Sequence, residues 1–279
     1  MNGSGRAPAA LSLERLQKEN IKELPPFHPY TITVPGACAG WFDLIEKHGT
    51  LPMSKILAPA INLAENGFPV APITAHFWER GAGRQLQSAL NGHELTIDGR
   101  APKAGEIFSN KGLARTFRKI AEDGKKAYYE GEIAESIAQV IQQSGGCLTT
   151  ADLAAHQSTW DEPISVNYHG YRIWECPPNG QGLAALLALN LLEGFDLASL
   201  APLSTRRLHL QIEAMRLAFA DARWYVSDPA FSSIPLNELL SKAYSDAVSY
   251  THLRAHETVL DLVCRLLLEK KKHSYRTYY

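Results

Sequence analysis

Cysteine is scarce in these 279 residues, and its spacing forms no pattern. Cys38, Cys147, Cys176 and Cys264 stand alone, and no Cys-x-x-C occurs. That speaks against a zinc ribbon or a disulfide framework and leaves buried free thiols as the expectation. Long apolar runs are also missing. None approaches the roughly 20 residues that a membrane-spanning helix needs. Charge of one sign is not in excess: the formal net charge is −1, so there is no electrostatic case for a nucleic-acid partner. The histidines are scattered, with no two at metal-ligand spacing on one helix, and no Ser–His–Asp arrangement stands out. No internal period recurs, which disfavours a helical solenoid. Neither a metal nor a cofactor is expected.

What is present is mostly helical pattern. Ala39–His48, Met53–Asn66, Asn110–Asp123 and Glu132–Ser144 each place apolar residues at helical spacing and each end at glycine. Leu11–Gln17, Asp152–His156 (capped by Thr149 or Thr150) and Ile73–Leu90 are further helices, the last weakened by Gly81 and Gly83. Thr205–Tyr225 is the longest, with a broad apolar face. Its polar residues Arg216 and Arg223, with Asp221 and Asp228 nearby, read as solvated charge pairs. The β content is confined to Thr31–Val34 and to a hairpin over Ile164–Tyr168 and Tyr171–Trp174, turning at His169-Gly170. Pro177-Pro178 ends the second strand, and an Asn179-Gly180-Gln181-Gly182 loop leads into the apolar helix Leu183–Leu192. That loop is read as a helix-entry turn needing glycine for close packing, with a backbone approach to a site wall as the alternative. No shift in composition marks a domain boundary.

Several blocks, taken in order, resemble the large subunit of the γ-glutamyltranspeptidase family, in particular its bacterial γ-glutamyltransferase-like branch. They are NGSGRAPAA at Asn2–Ala10, VPGACAGWFDLIEKHGTLP at Val34–Pro52, LAPAINLAENGFPV at Leu57–Val70, LTTADLAAHQSTWDEP at Leu148–Pro163 and EAMRLAFADARWYVSDPAF at Glu213–Phe231. Ordered matches of this kind are far more specific than one short motif. The resemblance implies an α+β N-terminal nucleophile hydrolase fold, an αββα sandwich. This chain would contribute an incomplete part of it, mostly the helical portion of the large subunit.

The implied activity is transfer of a γ-glutamyl group from glutathione or a similar amide to water or an amine. The precursor is a zymogen that processes itself to expose an N-terminal threonine, whose hydroxyl attacks while its own amine serves as base. No Thr-Thr-His processing signal occurs, and Thr149-Thr150-Ala151 falls in a helical block. No catalytic residue is therefore assigned in this chain; the nucleophile is expected on a small-subunit partner. One substrate contact is implied. The family's Arg-Glu-x-Ala-Pro motif holds the donor's α-carboxylate through its arginine, a geometry suited to two parallel hydrogen bonds. Aligning Ala7-Pro8 with that Ala-Pro puts Ser4 at the arginine position and shifts Arg6 by two. The shift brings in a second reading, an acylase of the same fold for glutaryl- or cephalosporin-type amides. A third is a non-catalytic helical interaction fragment.

The C-terminal residues differ in kind. Val248–Thr258 and Asp261–Lys272 resemble the translation of a synthetic sequencing adapter. The functional portion is accordingly set at residues 1–247, and 248–279 is read as a non-native tail. Met1 opens inside a motif block, which places the natural N-terminus upstream; bacterial cytoplasm and periplasm both fit.

Overall fold

In the computed structural model, residues 1–249 and 251 are described. The expected tail therefore lies almost wholly outside the described residues. The chain divides into two compact units, Met1–Trp160 and a second beginning at Asp161.

The first unit is helical. It comprises α1 (Leu13–Lys18), α2 (Ala37–His48), α3 (Met53–Asn66), α4 (Pro72–Ser88), α5 (Lys111–Asp123), α6 (Lys126–Tyr129), α7 (Glu132–Gln143) and α8 (Thr150–Ala154). Its core gathers Val34, Ala39, Leu57, Ile120, Ala138, Leu148 and Leu153, all nearly or fully buried. The glycine stops act as expected. Gly67 and Gly124 take positive φ (85° and 79°) at the ends of α3 and α5. Asn110 caps α5 by accepting the Leu113 N–H. Gly81 and Gly83 do not break α4, and α3 continues through Pro59.

Two expectations fail in this unit. Thr31–Val34 forms no strand. Pro29 presets helical φ, and the His28 Nδ1 accepts the Tyr30 N–H, so Pro29–Thr31 closes a 3-10 turn instead. Conversely, a small antiparallel pairing of β1 (Phe68–Pro69) with β2 (Ile107–Phe108) was not anticipated. Two residues are too few to show alternation.

The second unit contains the hairpin β3 (Ile164–Tyr168) and β4 (Tyr171–Glu175), with Tyr168 opposite Tyr171 and Ile164 opposite Glu175. His169 (φ 48°) and Gly170 (φ 86°) are both left-handed, as a type I′ turn requires. A lone hairpin is marginal in water, and α9 (Gly182–Leu192) supports it from one face. In α9, Leu183, Leu186, Leu187 and Leu191 are all buried. α10 (Thr205–Tyr225) packs on α9 through Leu210, Ala214, Leu217 and Ala218. α11 (Leu236–Leu239) and α12 (Lys242–Val248) close the unit. Val248 packs against the Leu191–Leu217 cluster, so the expected boundary at 247/248 falls at the last residue of a helix.

Lys242 ties this unit together. Its ammonium donates to the Asn167 carbonyl (3.0 Å) and the Asn190 Oδ1 (2.7 Å), and pairs with Glu193. The expectation of solvated charges on α10 is corrected at Asp221. Arg216 does pair with Glu213 (2.6 Å) at the surface, but Asp221 lies on the opposite, packed face and is 4% exposed. Burial raises its pKa to about 6, although the Tyr244 hydroxyl donates to Oδ2 at 2.8 Å; Oδ1 has no partner.

Candidate functional site

The segment carrying Ser4 and Arg6 lies on the first unit. Asn2 exchanges both backbone hydrogen bonds with Thr159 (2.8 and 2.9 Å), and the Val34 N–H donates to the Arg6 carbonyl (3.0 Å). Between these anchors burial alternates. Gly3 and Gly5 are half-buried, while Ser4 and Arg6 are exposed. This is the period-two pattern of extended chain, so Ser4 and Arg6 emerge on one face.

Glycine is required on the inner face. A Cβ on Gly5 would sit 1.6 Å from the Val34 carbonyl oxygen, and one on Gly36 would sit 1.7 Å from that of Gly3. Main chain thus meets main chain with no side chain between. Downstream, the Ala9 N–H donates to Asp152 Oδ1 (2.8 Å), while Asp152 Oδ2 accepts from the Thr149 N–H and hydroxyl (2.8 and 2.7 Å). Thr149 and Asp152 form a capping box on α8, so one carboxylate both starts a helix and holds the N-terminal segment. Burial pushes the Asp152 carboxyl up, but the Ala9 and Thr149 donors outweigh it and hold the pKa below the usual aspartate value.

The Pro35-Gly36 turn beneath the segment is fixed by Tyr129. Its hydroxyl donates to the Pro35 carbonyl (2.7 Å) and accepts the Ala39 N–H at the start of α2 (3.0 Å). Burial raises the phenol's pKa well above its ordinary range, so it stays protonated and can serve as donor. His156 stacks on Tyr129 (5.5 Å between centroids), with Nε2 against the Gly36 backbone in a geometry short of a proper hydrogen bond. Burial, then the Lys125 ammonium, holds its imidazole below the usual value, while Asp43, bonded to Lys125 at 2.9 Å, opposes them.

Sequence reasoning singled out Ser4 and Arg6 but missed this support. Thr149 was legible as a cap; the reach of Asp152 to Ala9 and the role of Tyr129 were not. In the second unit, Gly182 is a packing glycine: a Cβ there would meet Glu175 Cβ at 2.8 Å and the Cys176 carbonyl at 3.1 Å. Of the described cysteines, Cys38 and Cys147 are buried as expected, but Cys176 is exposed at the end of the hairpin. Burial pushes the Cys38 thiol up to about 11, which makes it unreactive at neutral pH. Among the described residues no cluster of His, Cys, Asp or Glu could hold a metal ion, and no helix is long and apolar enough to cross a membrane.

The helical units, the hairpin and the glycine-led helix α9 correspond to the N-terminal nucleophile hydrolase fold. The cephalosporin acylase from Bacillus halodurans superimposes with a TM-score of 0.82 at 41% identity, over 90% of this chain and 48% of that one. The Helicobacter pylori gamma-glutamyltranspeptidase does so with a TM-score of 0.81 at 29% identity, over 90% of this chain and 73% of that one. The chain belongs to the gamma-glutamyltranspeptidase family, whose pattern it matches over residues 1–260. The family match thus runs beyond the expected boundary at 247/248 and into the stretch read as a non-native tail, as far as residue 260. The glutathione hydrolase-like YwrD proenzyme of Bacillus subtilis is 35% identical over 88% of this chain and 46% of its own length. The chain spans about half the length of the curated relatives it matches.

Proposed function

We propose that this chain is the large-subunit half of a self-processing amidase that cleaves γ-glutamyl amides such as glutathione. Its nucleophilic threonine belongs to a small-subunit half that this chain does not cover. Family membership, together with relatives that are proenzymes of about twice this span, supports the reading. In the proposed reaction the threonine hydroxyl adds to the amide carbon and passes its proton to the threonine's own amine. Backbone donors stabilise the oxyanion, the threonine's ammonium hands its proton to the amide nitrogen as the carbon–nitrogen bond breaks, and water or a second amine resolves the acyl-enzyme once the substrate's amine has left. Alone, the chain lacks the nucleophile and is inactive.

Arg6 is proposed as the carboxylate clamp. In extended chain a shift of two residues moves a side chain about 7 Å along the strand but keeps it on the same face. A long guanidinium at Arg6 can therefore serve where the family's arginine would stand at Ser4. The acylase reading has its own support, because the displaced arginine coincides with 41% identity to a cephalosporin acylase. A glutaryl group offers a terminal carboxylate but no α-amine.

Comparing γ-glutamyl and glutaryl p-nitroanilides with the full-length gene product separates the two. Preference for the first is expected, and indifference to it ends the transpeptidase reading. Arg6→Ala should raise KM by about 30-fold, the worth of a charge-assisted contact of roughly 2 kcal/mol. An unchanged KM removes Arg6 from the site. A genomic reading frame that stops after Asp246 without a threonine junction would end the whole proposal.

A further inference from the structure

α10 carries two apolar stripes on opposite sides, and only one is used. Leu210, Ala214 and Leu217 are buried within the second unit, whereas Leu208, Ile212 and Met215 are 39%, 57% and 37% exposed. Phe219, half-buried against the Ala218–Ala222 cluster, continues the line of the stripe at its end, and together these residues line a shallow groove of about 590 Å³ rimmed by Arg216 and Arg223. A helix that is apolar on both sides belongs inside a packed body. The spacing says what kind of element would cover it. The steps from 208 to 212 to 215 to 219 run four, three, four, the a/d seam by which one helix seats another.

We infer that the open face of α10 is the docking surface for an amphipathic helix from the half of the full-length protein beyond this chain. That helix would set an apolar seam against Ile212 and Met215 and an acidic residue against Arg223. The inference rests on the reading above that such a half exists, and the chain's coverage of only 46% of its YwrD-like relative leaves ample length to supply it.

Peroxide oxidation followed by mass spectrometry tests the surface, since thioether oxidation follows exposure and Met53, 7% exposed, is an internal control. In the 279-residue chain at monomeric dilution, Met215 should oxidise much faster than Met53. In the full-length gene product it should slow by about tenfold or more. Ile212→Glu in the full-length protein should restore fast oxidation of Met215. Equal Met215 reactivity in the two proteins overturns the inference. So does slow oxidation in the dilute chain alone, or protection in that chain that rises with concentration and is lost in Ile212→Glu, which assigns the face to a second copy. Anilide hydrolysis on the same preparations keeps the two proposals apart. Protection without hydrolysis sinks the enzyme reading only, and hydrolysis without protection sinks the docking surface only.

Discussion

Asp221 offers a quantitative test of packing in the second unit. Its carboxyl is raised from 3.8 to about 6, with burial as the leading cause. Ionising it in the folded state therefore costs about 3 kcal/mol relative to the unfolded chain. The sign follows from proton counting. Between about pH 4 and 6 the folded state binds more protons than the unfolded state, so stability falls as pH rises through that window. Above it the full penalty stands. Asp221→Asn removes the titration while keeping an acceptor for the Tyr244 hydroxyl. It gives up a charge-assisted bond and buries an amide N–H, together worth about 1–2 kcal/mol. The variant should be more stable than wild type by about 1–2 kcal/mol at pH 8 and level with it, or slightly less stable, at pH 5. Hydrogen exchange of the α10 and α12 amides in mild urea, at both pH values, reads this locally after correction for intrinsic exchange rates. A variant-minus-wild-type difference that is the same at both pH values refutes the assignment of the penalty to this carboxylate.

Three further outcomes are expected. Gly5→Ala and Gly36→Ala each push a methyl into a backbone carbonyl, so each should cost about 1–3 kcal/mol in thermal unfolding and speed proteolysis near residues 2–10; wild-type behaviour would mean that the segment is not seated on Val34–Gly36. Asp152→Ala should lose about 1 kcal/mol through the capping box and also release Ala9, whose amide should then exchange freely; Asp152→Asn should retain part of both effects. Of Cys38, Cys147 and Cys176, a maleimide should label Cys176 alone in the native chain at pH 7.5, with Cys38 reacting only on denaturation.

The helices were legible because their signals are local. Apolar spacing with a glycine stop located α3, α5 and α7, and the β-branched and aromatic runs around His169-Gly170 located the hairpin. Thr31–Val34 was misread because β propensity without a partner strand yields to the turn that Pro29 and His28 set up. The buried state of Asp221 was hidden because a helix with apolar residues on two sides gives no single polar face to read. At the candidate site, Ser4 and Arg6 came from the motif, but their support came from far along the chain. The Asp152 carboxylate meets Ala9 across 143 positions, and the Tyr129 hydroxyl meets Pro35 across 94. Neither pairing leaves a periodic trace.

The glycine-on-carbonyl seat of the N-terminal segment separates scaffold from chemistry. Because Gly3 and Gly5 face inward and Ser4 and Arg6 face outward, the outer pair can be exchanged without disturbing what lies beneath. Substitutions at the outward positions therefore leave the foundation intact, and such a seat lets one scaffold vary its outer side chains at little cost to its folding.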